Sequence, residues 1–173
     1  MRWFKRIAAG LLGLVLLLAV VGLLMPSAWE VSRSRVIDAS PETIHAAVAD
    51  WSRWPEWSPF DKEDPDIVFT IDGPATGVGA KRSWTSPQMG DGSQTITSSD
   101  PARGMTFVLE MDGMQLEGEF VYEVVEGGTR VTWTDRGDMG ANPFMRLMAP
   151  ALEGMLGDSF ERGLENLAGI VTR

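Results

Sequence analysis

The sequence predicts an α+β fold: a curved, seven-stranded antiparallel sheet around one long C-terminal helix, with a single transmembrane helix in front. Three observations predict it. Residues 7–25 read IAAGLLGLVLLLAVVGLLM without a charged side chain. Six segments after residue 66 alternate with period two and are separated by short turns rich in Gly, Pro and Asp. The chain then ends on apolar residues at helical spacing.

At 1.5 Å per residue the first apolar run is about 28 Å long, close to the hydrocarbon thickness of a bilayer. Arg2, Lys5 and Arg6 precede it, so residues 1–6 are expected in the cytoplasm and the remainder across the membrane. Arg33 and Arg35 follow soon after, which makes that charge bias modest. A cleaved signal peptide is the alternative, but its apolar region is normally about 7–15 residues and ends at an A-x-A-like site. The longer run and the poor site in MPSAWE favour an uncleaved anchor over 7–25, with 26–28 as a short linker.

The domain is expected over 29–173. WEVSRSRVI (29–37) alternates like a strand. Ser40 is a natural N-cap for a short helix, with Pro41 at its first position and Ile44, Ala47 and Val48 as its apolar stripe. A turn with three tryptophans follows, Trp51, Trp54 and Trp57 in DWSRWPEWSPF, so two short helices are expected before the second strand. The remaining strands are expected at 67–72, 79–86, 93–99, 105–112, 115–125 and 129–135, joined mostly as hairpins. Asn142 and Pro143 start the final helical run, which Pro150 should kink or divide.

Three of the 15 basic residues precede the apolar run and all 24 acids follow it, so the remainder carries about −12. That balance argues against nucleic acid as a partner and against broad adhesion to an anionic membrane surface. The chain has no cysteine, hence no disulfide and no thiolate metal site, and no phosphate loop or nucleophile elbow is present. Neither a cofactor nor a metal is expected. His45, the only histidine, lies on the first short helix without partners at a useful spacing, and reads as structural. Glu110 and Asp112, with Glu117, Glu119 and Glu123, read as a solvated outer sheet face.

SRVIDASPETIHAAVADWSRWPEWSPF, GPATGVGAKRSW, GGTRVTW and GDSFERGLENLAGIV occur in that order. Together they resemble the START-like, Bet v 1-like superfamily, specifically its polyketide cyclase/dehydrase and lipid-transport group, over nearly all of 29–173. The resemblance implies a helix-grip fold with a hydrophobic tunnel between sheet and long helix, and a lipid or other hydrophobic small molecule as partner. It implies a bacterial inner-membrane protein with a periplasmic domain once the anchor is added.

The inner-face positions expected to line the tunnel are Trp57, Trp84, Met105, Phe107, Leu109, Met111, Leu116, Phe120, Tyr122 and Trp133 from the sheet side. Met148, Leu152, Met155 and Phe160 face them from the helix. Gly154, Gly157, Gly163 and Gly169 weaken that helix, which implies a close approach or free volume beside it. Arg82 and Asp135 are the polar candidates for orienting a ligand. The mouth is expected near 73–79, 89–92 and 140–143. Trp57 should form a wall, Trp54 a brace, and Trp51 an exposed contact with the membrane. A binding domain is favoured over an enzyme; the alternatives are a cyclase or dehydratase using an inner-face polar residue, and an interaction module without a ligand.

Overall fold

A computed structural model describes residues 2–88, 90–111 and 113–172; Met89 and Asp112 therefore lie outside the described residues. Helix α1 (Arg2–Leu24) is the apolar segment, exposed along nearly all its length. Strand β1 (Ala28–Ile37) follows, then α2 (Pro41–Val48), a 3-10 turn at Trp51–Arg53, α3 (Trp54–Trp57) and α4 (Phe60–Glu63). Strands β2 (Val68–Asp72), β3 (Lys81–Thr85), β4 (Gly92–Asp100), β5 (Gly104–Met111), β6 (Met114–Val125) and β7 (Gly128–Asp138) come next. The chain closes with α5 (Pro143–Arg146) and α6 (Ala149–Val171).

The local chemistry accounts for these boundaries. Ser40 Oγ accepts the Thr43 amide at 3.3 Å, with Pro41 in the first turn of α2. Asp50 accepts the Ser52 amide at 2.9 Å and so caps the tryptophan turn. Asn142 caps α5 through the Phe144 amide at 3.0 Å. Pro150 falls in the first turn of α6, where a missing N–H costs nothing, so it divides the C-terminal run instead of kinking it.

All seven strands form one antiparallel sheet in the order β1-β7-β6-β5-β4-β3-β2. Alternation along the strands puts Val31, Val131, Trp133, Asp135, Phe120, Phe107 and Ile96 on the inner face, and all are buried. Helix α6 packs over the β1 edge and against α2 and α3, with Phe160, Leu164 and Leu167 buried beneath it. The tryptophan turn covers the middle of the sheet. This is the helix-grip arrangement, with the short helices between the first two strands.

The three tryptophans are all core residues, each 1 % exposed or less. Each indole N–H donates to a backbone carbonyl: Trp51 to Ala80 at 3.0 Å, Trp54 to Val48 at 2.8 Å, and Trp57 to Ala47 at 3.3 Å. The expectation of an exposed, membrane-touching Trp51 is therefore corrected. The 3-10 turn rotates its ring under β3, where it meets Phe107 edge-on at 5.8 Å. The expected roles of Trp54 as brace and Trp57 as inward wall agree with these contacts.

Candidate functional site

The inner sheet face divides into two ends along the strand direction. At the end far from α1, aromatic rings fill the space between sheet and helix. Trp133 stacks on Phe160 with centroids 4.3 Å apart and on Phe120 at 4.9 Å. Trp57 meets Trp133 at 5.7 Å and Phe120 at 6.1 Å. A side chain at Gly118 would collide with the outer end of the Phe107 ring. Trp57, Met105, Phe107, Phe120, Tyr122, Trp133 and Phe160 are thus buried against one another.

Toward α1 the same face loosens. Leu109 pairs with Leu116, and Gly137 sits under Leu116 and Trp29. In the next row Met114 pairs with Met111, Met111 with Gly92, and Gly92 with Trp84, whose ring lies over that glycine. Trp84, Leu109, Met111, Leu116 and, on α6, Leu152 are half-buried, while Met148 and Met155 are exposed. Thus the fourteen candidate lining residues split between a packed end and an open one.

Helix α6 explains part of this split. Only two of its four glycines answer the expectation of close approach: Gly157 accommodates the Arg33 guanidinium, and Gly163 brings the Trp133 ring to 2.8 Å of where a Cβ would stand. Gly154 and Gly169 face open space. Arg33 holds the helix to β1 through Glu153 at 2.9 Å and Glu161 at 3.0 Å, and the surface groove beside it, about 480 Å³, is lined mainly by charged residues. A second depression, about 350 Å³, lies at the β2–β3 edge beside Asp66 and Val68. Neither lies beneath the apolar stripe of α6.

Asp135 sits on the row between the two ends, paired with Val31 and Gly118. Its carboxyl accepts the Trp133 indole N–H at 3.2 Å. Burial raises its pKa to about 7, against the smaller opposite effect of that hydrogen bond. Arg82, the other polar candidate, is committed elsewhere. It is buried over the Phe69 ring at 3.7 Å and forms a buried ion pair with Asp61 of α4, two charges that largely satisfy each other. Burial lowers its pKa, and Asp61 opposes that shift. The pair is 21 residues apart in sequence, and no local spacing announced it.

His45 is structural: Nε2 lies 2.9 Å from Ser99 Oγ, Nδ1 lies 3.4 Å from Tyr122 Oη, and burial lowers its pKa. No group of three potential metal ligands occurs among the described residues. The Trp84 indole N–H, which the sequence did not single out as a donor, is buried without a hydrogen-bond partner among the described residues. Of the three expected mouth segments, 90–92 and 140–143 lie at the open end. Segment 73–79 does not: Ala75 O accepts the Trp51 amide at 3.0 Å, which docks this loop on the tryptophan turn.

Comparison with known proteins follows the same outline. Residues 28–171 match the family model described as polyketide cyclase/dehydrase and lipid transport. No curated protein matches the sequence. Among solved structures, SA2116 from Staphylococcus aureus, a protein of unknown function, superposes with a TM-score of 0.64 at 14% identity, over 85% of this chain and 95% of its own. TTHA0849 from Thermus thermophilus gives 0.59 at 21%, over 83% and 97%. Protein CV1439 from Chromobacterium violaceum gives 0.61 at 16%, over 83% and 98%. At these identities the solved structures establish the fold.

Proposed function

The chain belongs to the polyketide cyclase/dehydrase and lipid-transport family, and from that premise we propose that residues 29–173 bind a hydrophobic small molecule or lipid between the sheet and α6. The apolar helix α1 holds this domain at the membrane, with residues 1–6 cytoplasmic and the domain on the far side. One observation carries the reading. Half of the inner face is closed by stacked aromatic rings, whereas the other half keeps Leu109, Met111 and Leu116 half-buried with no comparable cover, and Leu152 on α6 is half-buried too.

Binding draws on the apolar area those residues lose to the ligand, at about 25 cal/mol per Å². Methionine suits such a wall, because its unbranched side chain adapts to varied shapes. Asp135, at the inner limit of the open half, and the Trp84 N–H, which has no partner among the described residues, supply polar contacts that orient a ligand head. Native mass spectrometry of the full chain extracted from membranes tests this. A bound lipid or small apolar molecule is the expected result. Protein recovered without any ligand, together with a co-purifying protein partner, favours an interaction module instead.

A second reading rests on Asp135 alone. A carboxyl buried beside an indole, with its pKa pushed up to about 7, has the character of a general acid or base for cyclase or dehydratase chemistry. Loss of turnover with ligand retained in Asp135→Asn would favour that reading.

A further inference from the structure

The contact between α1 and the domain fixes which way the open end faces. The backbone of Pro143 in α5 lies directly against Gly22, in the last turn of α1, where any side chain would collide with the Pro143 carbonyl. Arg146 of α5 reinforces this contact. Its guanidinium donates to the carbonyls of Leu23 at 3.4 Å and Met25 at 3.2 Å, groups that the end of a helix leaves without intrahelical partners. A second arm of Arg146 reaches Gly140 O at 2.9 Å and holds the loop before α5 in place.

The depth of α5 follows. Gly22 lies three residues inside the end of the apolar run at Met25, about 4.5 Å along the helix axis. A segment abutting Gly22 is therefore level with the last turn of the span. The surface chemistry agrees. Beyond α1, the exposed large hydrophobic residues among the described residues are four scattered valines and five others: Met114, Phe144, Met145, Met148 and Met155. All five lie on α5, at the N-cap or in the first half of α6, or at the start of β6 at the α1 end. From Met139 to Leu152 there is no acidic residue, and Arg146 is the one charge, in a domain that is otherwise strongly acidic. Asp66 and Asp91 at this end lie across the sheet, on the β2–β4 side, while Asp138, at the end of β7, accepts from Ser27 Oγ at 3.0 Å and the Gly140 amide at 2.6 Å.

We propose that α5 and the start of α6 are seated in the interfacial layer of the bilayer beside α1, so that the open end of the sheet–helix space faces lipid. Phe144, Met145 and Met148 then lose their exposed apolar surface to acyl chains, while the Arg146 charge stays on the carbonyls of Leu23, Met25 and Gly140 at the end of the span. This seating rests on α1 being retained as an anchor, and it gives the proposed ligand site a direct route from the membrane.

The chain has no cysteine, so single spin labels are clean. Full-length Phe144→Cys, Met148→Cys and, at the opposite end, Val124→Cys are labelled and reconstituted in vesicles of phosphatidylethanolamine and phosphatidylglycerol. All three sites are exposed, at 45 %, 55 % and 78 %, so folding tolerates the change. The expected result is an oxygen-to-nickel collision ratio several-fold higher at 144 and 148 than at 124. Adding Gly22→Leu, which pushes α5 off α1, should lower the ratio at 144. Aqueous values at 144 and 148 on an intact chain would overturn the seating and leave ligand binding to its own mass measurement. A chain whose mass shows loss of α1 would overturn both the seating and the anchor.

Discussion

The two ends of one sheet face differ in cover, not in composition. Both ends present apolar side chains on the same alternation. At the far end, Trp51, Trp54, Trp57 and Phe160 lie over Phe107, Phe120 and Trp133, and every indole N–H of the turn has a carbonyl. At the end near α1, α6 runs along the β1 edge and leaves Leu109, Met111 and Leu116 half-covered. Stability is therefore concentrated at one end, and the capacity to accept a ligand at the other.

The largest expected effect comes from cutting into the packed end. Trp133→Ala removes the ring that joins Phe120 to Phe160 and should cost about 3–5 kcal/mol in urea unfolding. Leu116→Ala, one row into the open end, should cost far less. Equal costs would break the contrast between the two ends.

Next comes the boundary residue. The folded state holds a proton on Asp135 up to about pH 7, whereas the unfolded chain releases it near the ordinary carboxylate value. Between those values the native state binds more protons, so its stability falls as pH rises, by at most about 1.4 kcal/mol per pH unit. Asp135→Asn should flatten that slope and stabilise the protein above pH 7. Unfolding midpoints collected across pH 4–8 for both proteins check it.

Gly118→Ala should destabilise by about 1–3 kcal/mol, since its Cβ enters the Phe107 ring and the packed end has no room to yield. Smallest of all, Met148→Ala should change stability by less than about 0.5 kcal/mol while reducing the ligand recovered with the protein. A large loss of stability there would mean that the open end is core after all.

The elements and their order were legible because period two, helical spacing and capping residues act locally. Ser40 and Asn142 cap helices where the sequence marks a boundary, and Asp50 caps the tryptophan turn in the same local way. Trp51 was not legible: three-residue spacing says which rings are neighbours, but the face of a 3-10 turn depends on what β3 places beneath it. The Arg82–Asp61 pair joins a strand to a short helix through tertiary packing alone. Met148, the N-cap of α6, and Met155 follow the apolar spacing of the C-terminal run, yet both are exposed, because spacing does not show which neighbours tertiary packing brings. Asp135 was legible as an inner-face carboxyl from its alternation with Trp133, while its raised pKa depends on the depth of burial.

Methionine placement allows the two ends to be read separately in one experiment. Met105 reports the packed end and Met111 the open end. With methyl-labelled methionines in the full chain, a titration with fatty acids and isoprenoid quinones should shift the Met111 signal in a saturable way and leave Met105 unmoved. Shifts of equal size at Met105, or no saturable shift at Met111 with any of these ligands, would contradict a ligand site at the open end.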